Sequence, residues 1–302
     1  MHNLETNFYK ISQIARDLLS NRLNKYENLF FYPNQPKLSD LGIMALSILA
    51  EAIGVDSENY LYSKLKSDYP ALFCQLPHRT NYNRRRRQLV NEIDELSGKV
   101  AEMLNKDCTT YLIDSMPIPV CRHVRAKGLK IMKEDPDLLP KTGYSAIDKQ
   151  YFTGYKLHLL ESENGVIHSF AISSANVHDV RLLNNLAEGF IKNCTLLGDK
   201  GYITKQGQLQ LFEQHKIELL TPARSNQPDK KNWNWTHRKK RKAIETSFSQ
   251  FCDQFMMKRN YAKKVSGFYA RIVSKIAAFT LLQYINMLNN KPLNHIKHAL
   301  AS

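Results

Sequence analysis

Apolar residues recur at helical spacing through the first hundred positions. Ile11, Ile14, Ala15, Leu18 and Leu19 make one stripe. Ser39 has the chemistry of an N-cap ahead of Leu41, Met44, Ala45, Ile48, Leu49 and Ala52, and Gly54 stands where a helix ends. A shorter helix fits 57–67, Pro70 and Pro77 bracket a loop, and Leu89, Val90, Ile93, Leu96, Val100 and Met103 predict one long helix over 81–105. The pattern changes at Asp107. Residues 111–119 predict a strand that Pro117 and Pro119 end, 151–160 an aromatic alternating strand, and 165–173 a third, with Glu163-Asn164-Gly165 as the turn between the last two. A helix over 179–191, a strand over 195–198, a helix over 204–215 and a strand over 217–221 follow, the last closed by Pro222. Two helices end the chain, over 240–255 and 266–289. The in-register Phe268, Ile272, Ile276, Phe279, Leu282 and Ile285 predict that the second packs on the sheet.

Three strands in a meander, then helix, strand, helix, strand and helices, describe an α/β layout with a mixed sheet. An all-α region precedes it, so the expected domains are 1–106 and 107–302. With 302 residues, 43% of them hydrophobic, the chain has enough apolar surface for both. Lys and Arg number 43 against 28 Asp and Glu, a net charge of +15 that points to a polyphosphate partner and so to nucleic acid. The five cysteines form no Cys-x-x-Cys pair, which argues against a disulfide framework or a zinc site and for a reducing cytosol. Glu5 and Asp17 interrupt any signal pattern, and the apolar stretch over 276–288 contains Gln283 and Asn286; a cytoplasmic, nucleoid-associated protein without a membrane span is expected.

The candidate chemistry lies in three acids. Asp114 closes the apolar run 110–114, Asp199 closes 195–199, and Glu245 sits in the helical segment 241–248. Two aspartates at the tips of neighbouring strands, approached by a glutamate from a helix, repel one another unless a cation lies between them. Oxygen-only donors favour Mg²⁺, with Mn²⁺ as substitute. Two such ions can hold the attacking and leaving oxygens of an in-line phosphoryl displacement.

Five strings occur in order: Leu112-Ile113-Asp114-Ser115, Gly154-Tyr155-Lys156-Leu157-His158, Ala175-Asn176-Val177-His178-Asp179, Leu197-Gly198-Asp199-Lys200-Gly201-Tyr202, and Arg241-x-x-x-Glu245. Over residues 107–260 the chain resembles bacterial insertion-sequence transposases of the DDE type. That resemblance implies a ribonuclease-H-like catalytic domain, a five-stranded mixed sheet with flanking helices, with the acids on its first strand, after its fourth and on a late helix. It implies that Asp114, Asp199 and Glu245 hold two divalent ions, and that Lys156, His158, His178, Asp179 and Arg241 support them. The activity implied is metal-dependent cleavage at the element's ends and transfer of the 3′-hydroxyl strand to target DNA. Where many relatives carry Tyr and Lys around the glutamate, this chain has Arg238 and Cys252. His178 and Asp179 also read as the opening of a helix, and His158 as a core or cleft residue.

Three basic segments complete the picture. Arg84, Arg85, Arg86 and Arg87 open the long helix after a short helix and a turn, compatible with a helix-turn-helix unit on DNA. Arg122, Arg125, Lys127 and Lys130 lie in a loop after the first strand. Lys230, Lys231, Arg238, Lys239, Lys240 and Lys242 are interleaved with Trp233 and Trp235 ahead of Glu245. Cations there would neutralise phosphates and the tryptophans would stack on bases. The expected partners are the element's terminal inverted repeats and target DNA as duplexes, bound by a homodimer because two ends must be paired. Two competing readings are a metal nuclease that cuts without joining and a catalytically inert DNA-binding regulator.

Overall fold

Side-chain caps set the helix starts of the N-terminal region. Asn3 accepts from the Thr6 N–H at α1 (Leu4–Leu19), Ser39 from Gly42 at α2 (Asp40–Ala52) and Ser57 from Tyr60 at α3 (Glu58–Asp68). The computed structural model describes residues 3–74, 76–146, 148–187, 191–223 and 233–300. After the short α4 (Pro70–Phe73), the single helix expected over 81–105 is two, α5 (Arg79–Gln88) and α6 (Val90–Leu104). The break is at the buried Leu89, whose φ of −90° and ψ of 10° leave the helical region. No proline or glycine marks it.

Contacts divide the chain into two units. The first gathers residues 1–100, 253–262 and 266–302, so it is built from both ends of the sequence. The last α-helix, α10 (Val265–Leu288), has its residues from 266 onward grouped with this unit, whereas its apolar register points to the sheet. The reason is charge. Glu51 of α2 is buried and takes Lys275 at 2.6 Å and Arg271 at 3.2 Å from α10, and Arg86 at 2.6 Å from α5. These cations hold its carboxyl down to about 2 against the cost of burial. By length and composition α10 is apolar enough to cross a membrane, but 78% of its most apolar stretch is buried inside the protein, as a core helix is.

The second unit gathers residues 101–252 and 263–265. Its strands are β1 (Thr110–Cys121), β2 (Lys141–Ser145), β3 (Gln150–Ser162), β4 (Ile167–Ser174), β5 (Cys194–Gly198) and β6 (Ile217–Leu220). They form one mixed sheet in the order β2-β3-β1-β5-β6, with β4 also on β3. β1 runs antiparallel to β3 and parallel to β5, and β5 parallel to β6. The sheet therefore has six strands rather than five. β2 has no apolar alternation to announce it; it pairs with the first part of β3, and β4 with the rest. Two glycines allow this crowding: a Cβ at Gly143 would meet the Ala175 carbonyl at 2.4 Å, and one at Gly154 the Ile118 carbonyl at 2.3 Å.

Pro117 and Pro119 lie inside β1 instead of ending it. Among the described residues the strand has no partner on its β5 side beyond Ile113, so the missing N–H groups cost no ladder bond on that edge. The helix expected over 179–191 is a 3₁₀ turn (Asp179–Leu182) followed by α7 (Leu183–Ala187), with 188–190 outside the described residues. Then come α8 (Lys205–His215), capped by Thr204, and α9 (Trp235–Asp253). One sheet face buries Tyr111, Ile113, Leu160 and Leu196 with Leu186, Tyr202 and Leu211. Alternation puts Leu112 and Asp114 on the other face, where α9 lies with Arg241 on Asp114.

Candidate active site at the strand aspartates

The parallel register between β1 and β5 ends at Ile113 opposite Gly198. The next residue on each chain is therefore an aspartate, and Asp114 and Asp199 stand side by side where the two strands part. Asp114 is not at a strand tip, as expected, because β1 continues along β3 to Cys121. Asp199 leads into a short 3₁₀ turn and accepts from the Gly201 N–H at 2.6 Å. Asp114 accepts from the Ser115 N–H at 2.8 Å and from Arg241 Nη2 of α9 at 2.6 Å.

Burial pushes the Asp114 carboxyl up to about 6; the Asp199 charge adds to the rise, and Arg241 and the Ser115 N–H oppose it. Asp199 is also raised, first by burial and further by Asp179, with the Gly201 N–H, Arg241 and Lys156 opposing. Two acids that would rather be neutral, side by side, form a strong attractor for a cation.

Asp179 joins this pair from the turn after β4. It accepts from Lys156 Nζ at 2.7 Å and from Ser115 Oγ at 3.1 Å, and Lys156 also donates to the Val177 carbonyl at 2.8 Å. Gly201 leaves room for Asp199 and Asp179: a Cβ there would lie 2.9 Å from Asp199 Oδ1 and 3.4 Å from Asp179 Oδ2. His158 is fully buried, 2.8 Å from Ser173 Oγ and 3.5 Å from the Tyr202 hydroxyl, and burial lowers it to about 4. It is a hydrogen-bonding group on the Ser115 side of the sheet, within the fields of Asp179 and Lys156. Ser115, Gly201 and Tyr202 lie in the sequence strings that carry Asp114 and Asp199, yet their roles had no signal of their own. His178 is exposed and only its carbonyl is used, by the Arg181 N–H.

Glu245 is not drawn into this cluster. It is exposed on α9, one turn beyond Arg241. The helix buries Ile244, Ser247 and Phe251, and Glu245 is about 100° around from Ile244, on the side that carries Arg241. Among the described residues no group of three His, Cys, Asp or Glu side chains is close enough to hold a metal ion. The neighbouring Glu161 of β3 is a different case: it is fully buried, and burial raises it to about 8 with only the buried Ser247 hydroxyl opposing.

The basic candidates separate by burial. Arg85 and Arg86 are not available to a ligand: Arg85 pairs with Asp40 at 2.6 Å and Arg86 with Glu51, all four side chains buried. Four arginines in a row on a packed helix must send some inward, where they bind the acids of α2. Arg84 is exposed and Arg87 half-buried. Arg122, Arg125, Lys127 and Lys130 are exposed, the middle two on the 3₁₀ turn His123–Gly128. Arg238, Lys239 and Lys242 are exposed on α9, while Lys240 is turned to Glu163 at 2.7 Å and Thr110 at 3.0 Å. Trp235 is 71% exposed with the Lys239 ammonium 5.3 Å from its ring, and Trp233 lies 5.4 Å from His237. Lys230 and Lys231 fall outside the described residues.

A mixed sheet that presents adjacent aspartates from neighbouring strands, with a cationic helix across them, defines a carboxylate site of the type that handles hard cations. Comparison with known families gives the particular kind. A family model described as the transposase DDE domain matches residues 106–281, more than half of the chain, and the chain belongs to this transposase family. The transposase for insertion sequence element IS1106 of Neisseria meningitidis serogroup B is 30% identical over 114 residues, which cover 36% of this chain and 39% of that protein. The aligned stretch thus spans well under half of the relative's length. No solved structure matches.

Proposed function

We propose that the chain is a DNA transposase of the DDE type. It cuts DNA at the ends of an insertion sequence and transfers the 3′-hydroxyl strand to target DNA. The observation that carries this reading is the pairing of Asp114 and Asp199 at the end of the β1–β5 register, in a chain whose family is that of DDE transposases. The strand order β4-β3-β1-β5-β6, with β3 antiparallel, fits a ribonuclease-H-like core to which β2 is an addition.

Asp114, Asp199 and Glu245 would hold two divalent ions, Mg²⁺ or Mn²⁺. What supports this is the donor chemistry of the aspartate pair: both donors are carboxylate oxygens, and burial has raised both, so a cation between them would relieve their charge. Such ions supply positive charge to the attacking and leaving oxygens of an in-line displacement. The chain's own residues prepare the place. Arg241 neutralises Asp114 and ties α9, which carries Glu245 one turn further on, to the sheet. Lys156 and Ser115 fix Asp179, and the Asp179 charge in turn bears on Asp199. The exposed cations of α9 and of the 122–130 segment would bind phosphates, with Trp235 beside them for base stacking. Pairing two element ends calls for a homodimer on DNA.

A double Asp114→Ala, Asp199→Ala variant is expected to bind an element-end duplex as the wild type does and to cut none of it. Cleavage that survives in that variant refutes the two-metal reading. Cutting by the wild type without joined products would leave the nuclease reading instead.

A further inference from the structure

The end of the sheet away from the acids carries three rings, two of them packed on the third, Tyr151. Tyr144 of β2 is directly opposite Tyr151 of β3, with ring centroids 5.2 Å apart at 62°. His123, at the start of the 3₁₀ turn after β1, lies 5.8 Å from Tyr151 at 34°. Tyr144 and Tyr151 are 54% and 62% exposed, and His123 is exposed too. Large rings at this exposure in contiguous contact are uncommon on a surface without a partner. The same turn carries Arg122, Arg125 and Lys127, all exposed, and none of the three makes an ion pair among the described residues. Asp148, in the hairpin between the two tyrosines, accepts from Ser145 Oγ at 2.8 Å.

We infer that this ring cluster is a stacking platform for unpaired nucleobases of the DNA strand that runs through the active site. The inference rests on the transposase reading for its substrate. Aromatic faces flanked by cations are what a single strand requires: stacking for its bases and charge for its phosphates. Seven residues of β1 separate Asp114 from Cys121, so the platform lies roughly 20–25 Å from the acid pair. A strand on the acids would reach it after roughly six or seven nucleotides. The platform would hold the end of a frayed strand away from its complement.

The test compares binding of the full chain to two labelled probes by fluorescence anisotropy in chelator: a blunt 30-base-pair duplex and the same duplex with an eight-nucleotide oligo(dT) overhang. The wild type is expected to favour the overhang, and Tyr144→Ala and Tyr151→Ala each to lose roughly tenfold on the overhang probe and little on the blunt one. Tyr144→Phe and Tyr151→Phe are expected to keep the preference, which separates stacking from misfolding. Arg125→Ala is expected to lower the salt slope by about one on the overhang probe, and the tyrosine variants to leave it unchanged. Equal binding of both probes by the wild type, or alanine variants that retain the overhang preference, would overturn the inference. So would a tyrosine variant that changes the oligomeric state, because the rings would then serve an interface between copies. Cleavage in Mg²⁺ of a separate duplex carrying the element's terminal repeat checks the transposase reading independently of every one of these outcomes.

Discussion

Replacing Asp114 by Asn should make the protein more stable at neutral pH while destroying its activity. The fold holds the Asp114 carboxyl at about 6 against an ordinary value of 3.8. An acid whose folded pKa is raised binds its proton more tightly in the folded state. The folded state therefore loses stability as pH rises from about 3.8 to about 6, and the loss is complete above that window. At about 1.4 kcal/mol per unit, a rise of about two units disfavours the ionised fold by about 3 kcal/mol. Asparagine keeps the shape and removes the charge, so Asp114→Asn is expected to gain about 3 kcal/mol at pH 8 and only about 1 kcal/mol at pH 4.5. Urea denaturation followed by tryptophan fluorescence measures this directly, because both tryptophans of the chain, Trp233 and Trp235, belong to the unit that contains the sheet. The buffer contains chelator in the first series and Mg²⁺ or Mn²⁺ in the second. Divalent ion should raise the wild type toward the variant and leave the variant where it was. A variant no more stable than the wild type at pH 8, or a gain that does not change with pH, would refute the reasoning.

The remaining expectations concern the surroundings of the site and the clasp of the helical unit. Glu161→Gln should gain stability relative to the wild type as pH rises from 4.5 toward 8, because the buried Glu161 must otherwise ionise away from water with only Ser247 to oppose the cost; pH-dependent melting of the two proteins checks it. Glu51→Ala should cost the helical unit about 3–5 kcal/mol by leaving Arg86, Arg271 and Lys275 buried without their shared acid, read by circular dichroism in urea. Since Glu51 is held down at about 2, its contribution in the wild type should fade as pH drops from 4.5 through 2, and a melting curve flat over that range would contradict the assignment. Lys156→Ala should reduce strand cleavage at saturating DNA with little change in binding, since Lys156 holds Asp179 rather than a phosphate; an effect confined to affinity would place it on the DNA instead.

Much of this arrangement is legible in the chain itself. Strands that bury both faces or alternate cleanly, such as β1, β3 and β5, stand out from their neighbours; the end of β5 marks Asp199, while Asp114 lies inside β1 because the strand continues along β3 past its register with β5. What escaped depends on partners remote in sequence. β2 is a ladder of polar residues whose only signature is its pairing with β3. The break at Leu89 lacks any local breaker. α10 looks like a sheet-packing helix until Lys275 and Arg271 meet Glu51, more than two hundred residues away. The same contact explains the arginine run: Arg85 and Arg86 read as a DNA-facing charge because nothing nearby in sequence announces that Asp40 and Glu51 wait inside. Gly201 and Ser115 acquire meaning only once Asp199 and Asp179 are beside them.

The most direct test of the central claim is to incubate the protein with a labelled duplex carrying its own element's terminal repeat, in Mg²⁺, in Mn²⁺ and in chelator, alongside Asp114→Asn and Glu245→Gln. A nick at the repeat boundary that needs divalent metal, joined products, and loss of both in each variant with DNA binding intact are expected. Binding without cleavage in either metal, or full cleavage by Glu245→Gln, would contradict the account.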